Sequence, residues 1–492
     1  MVDIHSDRLG FALRSSQIRN GIFIPKYYVP EVEKRLEVLS ITHHLVQISD
    51  WVEQGHIELS TGHEIGKMAY GTGNIPFVRT SDIGTWEIKA DPKQGISPDI
   101  YQEYAENQDV RIGDIFFVRD GTYLIGQTAM VTELDMPCLY QSHILKIRVK
   151  PACPISRWLL FAALNAPTVR KQIRAKQFTA DIIDTIGNRF SELILPIPKD
   201  PVLAAKIADD VMYVIQTRVQ LLKQMKKIPQ LVLGDEHDFL EDEKVDSPPA
   251  FGLPSDLGFA IKLSSIQSNI FIPKYYDLTL KAELNQLSNT HELVSLEALS
   301  QRGVISWDTG IEVGKMAYGT GHIPFVRTSD ISNWELKGDP KQNVSELIYR
   351  ENKQDVELED IFIVRDGTYL VGTSCILTVH DTKLLYCGGL YKIRVHEKDR
   401  IDPYLLLAVL NTPIVRRQMR TKQFTRDIID TLGKRLFEVV IPIPKDQAAC
   451  KRIAEETRDI IETRVRLRNR AKEIALEIEG KQHLPDEEVN EL

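Results

Sequence analysis

Cysteine is scarce: five residues in 492, none of them in a CxxC pair. That excludes a disulfide framework and argues for a reducing compartment, the cytoplasm. No apolar run reaches the ~18 residues that a membrane span needs. The opening MVDIHSDRLG carries no apolar signal core either. No GxSxG, HExxH or GxGxxG is present, so the common hydrolase, zincin and dinucleotide signatures are missing. An excess of positive charge is lacking as well, since the formal net charge is −8. What is present is ordinary for a soluble globular chain: 43% hydrophobic and 26% charged residues.

The chain says almost everything twice. GKMAYGTGNIPFVRTSDI from Gly66 returns as GKMAYGTGHIPFVRTSDI from Gly314, with Asn74 exchanged for His322. The offset is 248 back to Leu9/Leu257. It becomes 246 after a two-residue gap near Tyr101/Tyr349, through VRDGTYL and DIIDT. None of the cysteines recurs at its partner position, and among histidines only His43/His291 does, so a metal site common to both copies has no ligands to use. A repeat of about 200 residues can bury a core of its own and is not a solenoid unit.

The acidity is localised. Seven acids against Lys244 fall between Pro229 and Ser255, and four more follow Lys481; without those ten net negative charges the remainder is +2. The spacing predicts a first domain over 1–199, a helix over 200–230, an acidic linker over 231–255, a second domain over 256–445, a helix over 446–480 and an acidic tail over 481–492. The fold class expected is α+β, two homologous domains related by a pseudo-two-fold and separated by long helices paired antiparallel. IPFVRTSDI, DIFFVRD and ILKIRV read as strands, and WLLFAALNAP and LLLAVLNTP as buried helices stopped by Pro167 and Pro413. LILPIPKD and VVIPIPKD read as extended, because a residue before proline disfavours helix.

The long helices are expected from Asp200-Pro201 and Asp446, which cap their starts. Ile207, Val211, Val214, Leu221 and Met225 follow a 4-3 spacing, with Arg218 in the one missing seam position. Ile453, Ile460, Leu467, Ala471 and Ile474 keep the same register around Arg464. A stripe interrupted by arginine at the same place twice fits two helices packed together, with the arginine fixing register.

Two surfaces carry candidate chemistry. The first is the Gly-rich run and the strand after it: Lys67, Tyr70, Thr72, Asn74, Arg79, Thr80 and Ser81, repeated as Lys315, Tyr318, Thr320, His322, Arg327, Thr328 and Ser329, with Arg119 and Arg365 in the VRDGT segments. Small residues let backbone approach phosphates, and arginine offers forked donors to guanine or phosphate. The second is a basic helix end running into KQFT: Arg174, Lys176, Gln177 and Thr179, repeated as Arg420, Lys422, Gln423, Thr425 and Arg426. Its cations suit phosphates and its amides suit base edges. GHEIGKM and GIEVGKM look like phosphate loops but are one residue short, and Met68/Met316 stand where Ser or Thr must hold magnesium. Asp82, Asp120, Asp330 and Asp366 are expected to tie turns such as RTSD and RDGT rather than to act as acid and base.

The tandem order of G-x-IPF-V-R-T-S-DI, DIF-VRDGT and a PIP run leading into a long helix resembles the specificity subunit of type I restriction-modification systems, over nearly the whole chain. PIPKD stands where that family usually has a PLPPL-like run. The resemblance implies a non-catalytic subunit without membrane contact. It would bind double-stranded DNA through two target-recognition domains and dock methyltransferase subunits, two in number, and restriction subunits where present. No cofactor would be bound by this chain; S-adenosylmethionine, and ATP with magnesium, would belong to those partners. A helix of about 28 residues spans ~42 Å, near one duplex turn of ~34–36 Å. Nearly identical reading loops imply a bipartite, nearly palindromic target. Two other readings compete. A duplicated DNA-modifying enzyme needs an NPPY, DPPF or PD…ExK pattern, and none is found; a helical scaffold without DNA contact predicts that the basic clusters are idle.

Overall fold

The computed structural model describes residues 13, 15–18, 21–90, 92, 94–121, 124–180, 183–234, 261–266, 269–338, 340, 342–367, 370–426 and 429–480. The acidic linker beyond residue 234 and the acidic tail fall outside them. Among the described residues no helix is long and apolar enough to cross a membrane, and no cluster of three or more His, Cys, Asp or Glu could hold a metal ion.

Helix and strand are mixed in each copy, as an α+β chain requires. In the first, a four-stranded antiparallel sheet runs in the order Ile57–Thr61, Ile144–Val149, Ile115–Val118, Thr128–Met130. A second sheet places Ile75–Val78 between Gln94–Ile96 and Leu139–Tyr140. A third pairs His43–Gln47 with Ile194–Pro198, so PIP is extended as its prolines demand. The second copy repeats all three, its four-stranded sheet running Ile305–Thr309, Leu390–Val395, Ile361–Val364, Ser374–Ile376. Two local expectations change. The strand IPFV ends at Val78, and Thr80–Asp82 is a 3-10 turn closed by the Asp82 carboxylate. Pro167 and Pro413 do not merely stop a helix. Each opens the next one, Pro167–Lys176 and Pro413–Thr421, where a missing N–H costs nothing.

The long helices are Pro201–Leu233 and Gln447–Glu477. Asp200 and Asp446 cap them by accepting from the amides of Val202 and Ala448. The first runs through Pro229 rather than ending there, because Ile228, Val232 and Leu233 are buried and their burial offsets the lost hydrogen bond. Every seam residue named from the sequence is buried. The helices lie side by side and antiparallel: Lys206 pairs with Glu477 at 2.7 Å and Arg470 with Asp210 at 2.5 Å. The largest hydrophobic cluster is continuous from the first copy through both helices into the second. Smaller clusters fill the outer lobe of each copy. The core is thus shared, not divided between two self-sufficient domains.

The seam arginines converge midway. Arg464, fully buried, donates to Glu87 at 2.6 Å and to Glu335 at 2.8 Å, the same position of the two copies. Arg218 donates to the Thr85 carbonyl. Burial works against the Glu87 carboxylate, yet the charges of Arg464 and Arg218 hold it below the ordinary glutamate range. Asn333 of the second copy reaches both the Ala90 amide and Glu87 of the first.

Candidate nucleic-acid interface

Each outer lobe carries a loop whose tip is rigid. The Thr72 hydroxyl donates to the Ala69 carbonyl at 2.8 Å and accepts from the Ser97 amide at 3.0 Å. Thr320 does the same with Ala317 and Ser345, at 2.7 and 3.0 Å. These threonines brace the loop from within. The braced tip presents Lys67, Asn74, Lys315 and His322 to solvent. Met68 and Met316 are 91% exposed there, an apolar side chain that the sequence signalled only by repeating it. Tyr70 lies on Phe77, and the Arg79 guanidinium sits 5.7 Å from the Tyr70 ring. Tyr318 lies on Phe325 in the same way. The preceding glycines are not phosphate cradles. A Cβ on Gly62 would lie 2.1 Å from the Tyr140 carbonyl oxygen, and on Gly310 the same distance from that of Cys387. They let two backbones touch.

Thr80 and Ser81, with Thr328 and Ser329, sit half-buried in turns held by Asp82 and Asp330, which accept from the Arg79 and Arg327 amides at 2.9 and 2.8 Å. The carboxylates are structural, as the sequence suggested. Arg119 forks onto Asp120 and Arg365 onto Asp366, at 2.8 and 2.7 Å. Asp120 also accepts from the Thr185 hydroxyl and lies 2.9 Å from His143 Nδ1. Burial opposes its ionisation, but the hydrogen bonds from Arg119, Thr185 and His143 outweigh it and hold the carboxyl below its usual range.

The KQFT segments need correction. Lys176 is buried, ion-paired with Glu192 at 2.8 Å and 4.2 Å from the Tyr27 ring centre. Lys422, half-buried, repeats the pairing with Glu438 and Tyr275, at 3.1 and 4.3 Å. Gln177, also buried, donates to Asp184 at 2.9 Å, and Gln423 donates to Asp430 at 3.0 Å. Their polar groups are engaged inside the protein because they anchor the hairpins Phe178–Ala180/Ile183–Thr185 and Phe424–Arg426/Ile429–Thr431. Thr179 and Thr425 are exposed on those hairpins, each donating to its hairpin aspartate. Arg174 is exposed and Arg420 half-exposed at the adjoining helix ends. The Arg426 side chain lies outside the described residues. Lys26, exposed 5.6 Å from the Phe178 ring centre, belongs to the same surface and comes from the repeated FIPKYY segment.

The pieces join. In the first copy, contacts run from Tyr70 to Arg79, to Gln141, to Glu64, to His143, to Asp120 with Arg119 and Thr185. The Gly121 amide then bonds the Asp184 carbonyl, and Asp184 holds Gln177 and Thr179. Two clusters about 100 residues apart in sequence therefore form one continuous surface on the first lobe. Of the residues that link them, Gln141 and His143 bear no motif, and Glu64 lies in GHEIGKM.

No family model matches the chain, and no curated protein does. Solved structures do. The S subunit of a type I restriction-modification system from M. genitalium is 11% identical, with 88% of this chain and 92% of that chain covered, at a TM-score of 0.31. The HsdS subunit from Thermoanaerobacter tengcongensis is 16% identical over 89% of this chain and 93% of its own, at 0.26. A chain from a type I R-M system solved for its complex assembly and conformational transition is 15% identical over 89% and 98%, also at 0.26. The chain is thus similar to type I restriction-modification S subunits along most of its length.

Proposed function

We propose that this chain is the target-specifying subunit of a type I restriction-modification system. Each lobe grips one half of a bipartite, nearly palindromic DNA target, and the helix pair sets the separation. The observation that carries the reading is a repeated surface on the two lobes, with exposed Lys67/Lys315 and Arg174 and half-exposed Arg420, on copies joined by antiparallel rods. Antiparallel rods relate the copies by a pseudo-two-fold, so the half-sites are read in opposite directions. The first rod has 33 residues, ~50 Å at 1.5 Å per residue, longer than one duplex turn.

The chain supplies address and scaffold. Two adenine methyltransferase subunits, and restriction subunits where present, bring S-adenosylmethionine and ATP with magnesium. Mapping methylated adenines genome-wide with and without this gene tests the proposal; a bipartite motif should vanish with the gene. Affinity for duplexes with symmetric halves should exceed that for unrelated halves, and equal affinity defeats the symmetry.

A further inference from the structure

The two reading surfaces share most of their rim residues, apart from Asn74/His322 at the loop tip, and diverge at their centre. Glu64/Glu312, Arg79/Arg327, Arg119/Arg365, Asp120/Asp366 and Thr185/Thr431 recur. Between them, Gln141-Ser142-His143 of the first copy is replaced by Cys387-Gly388-Gly389 in the second. In the first, Gln141 accepts from Arg79 and donates to Glu64, both at 3.5 Å, and Ser142 donates to Glu64. His143, with 37% of its side chain exposed, lies 2.9 Å from Asp120 and 3.9 Å from Glu64. In the second, Glu312 is met only by a backbone amide at this segment, that of Gly388 at 3.2 Å. A Cβ on Gly389 would come within 2.9 Å of Thr328 Cγ2, so the second lobe is built around the missing side chains.

We infer that this tripeptide is a specificity-determining difference between the lobes: residues 141–143 and 387–389 make the two half-sites differ at a central position of an otherwise similar inverted repeat. The inference rests on the DNA-reading function proposed above. The first lobe offers the His143 imidazole and the Ser142 hydroxyl to a base edge, with Gln141 buried behind them. At the same place the second offers glycine backbone packed against Thr328. Rims that share their arginines read similar flanking bases.

The test is selection of the full-length chain on a randomised duplex library, followed by sequencing, for the wild type and for Q141C/S142G/H143G. The wild-type motif should have halves that differ at a central position. The triple variant should select halves alike at that position, with preference there changed at least about tenfold and flanking preferences kept. A wild-type motif with identical halves overturns the inference without any variant. A variant with a wild-type melting profile and an unchanged motif overturns it also. A wild-type chain that selects no motif refutes the DNA-reading function itself.

Discussion

His43 Nε2 lies 2.7 Å from the carbonyl oxygen of Ile478, at the far end of the other copy's long helix. His291 repeats the contact on Val232 at 2.7 Å, so each copy's first strand grips the end of the rod that leaves the other. Both histidines are buried, and Thr42 and Thr290 hold their second ring nitrogens at 2.9 and 2.8 Å. His43→Ala or His291→Ala leaves a buried carbonyl without its donor and should cost about 1–3 kcal/mol each. The two sites lie at opposite ends of the helix pair, so the losses should add. Denaturant titration of single and double variants measures this.

Arg464 should be the most sensitive seam position. Arg464→Met strands Glu87 and Glu335 in the core and should lower stability by about 3–5 kcal/mol. Adding Glu87→Gln and Glu335→Gln removes the stranded charges and should recover most of the loss. Thermal melts of the three forms decide it; an additive penalty would refute the cluster's role.

Asp381 is paired with Arg468 at 3.0 Å, but in the copy that holds its counterpart Asp135 the repeat position of that arginine is Leu222. Burial, against hydrogen bonds from Thr132, pushes the Asp135 carboxyl up to about 6, with Glu87 and Glu133 adding to the rise. A raised carboxyl means the folded chain binds the proton more tightly than the unfolded one. Its stabilising contribution is therefore full below about pH 4 and lost as pH rises through 6. Asp135→Asn should flatten that decline by up to about 2 kcal/mol, allowing for partial solvent screening. Leu222→Arg should flatten it by restoring the cation. Unfolding titrations at pH 4, 5, 6 and 7 read the slopes.

Lys67 and Lys176 should part company. Lys67→Ala with Lys315→Ala should weaken DNA binding evenly across sequences and reduce the salt slope by about 0.9 for each phosphate no longer neutralised. Lys176→Met should instead lower stability by disrupting the Glu192 pair and the hairpin it anchors. Salt-dependent binding isotherms alongside melts separate the two effects.

Much of this was written locally. The repeat and its change of offset, the caps at Asp200 and Asp446, the seam with its arginines and the extended PIP runs follow from periodicity, proline chemistry and capping, each a property of neighbours along the chain. The paired use of His43 and His291 was visible as a coincidence without a cause. Only tertiary structure decided that Lys176 is spent inside, since its partner Tyr27 comes from far away in the chain and Glu192 from beyond the hairpin. It also decided that the helix outlasts Pro229, because burial against a remote core outweighs a local penalty. The meeting of Arg464 with Glu87, 377 residues away, has no local signal at all. Charge and polarity are inscribed in the residue, but whether they face water or a partner is set by what the folded chain brings beside them.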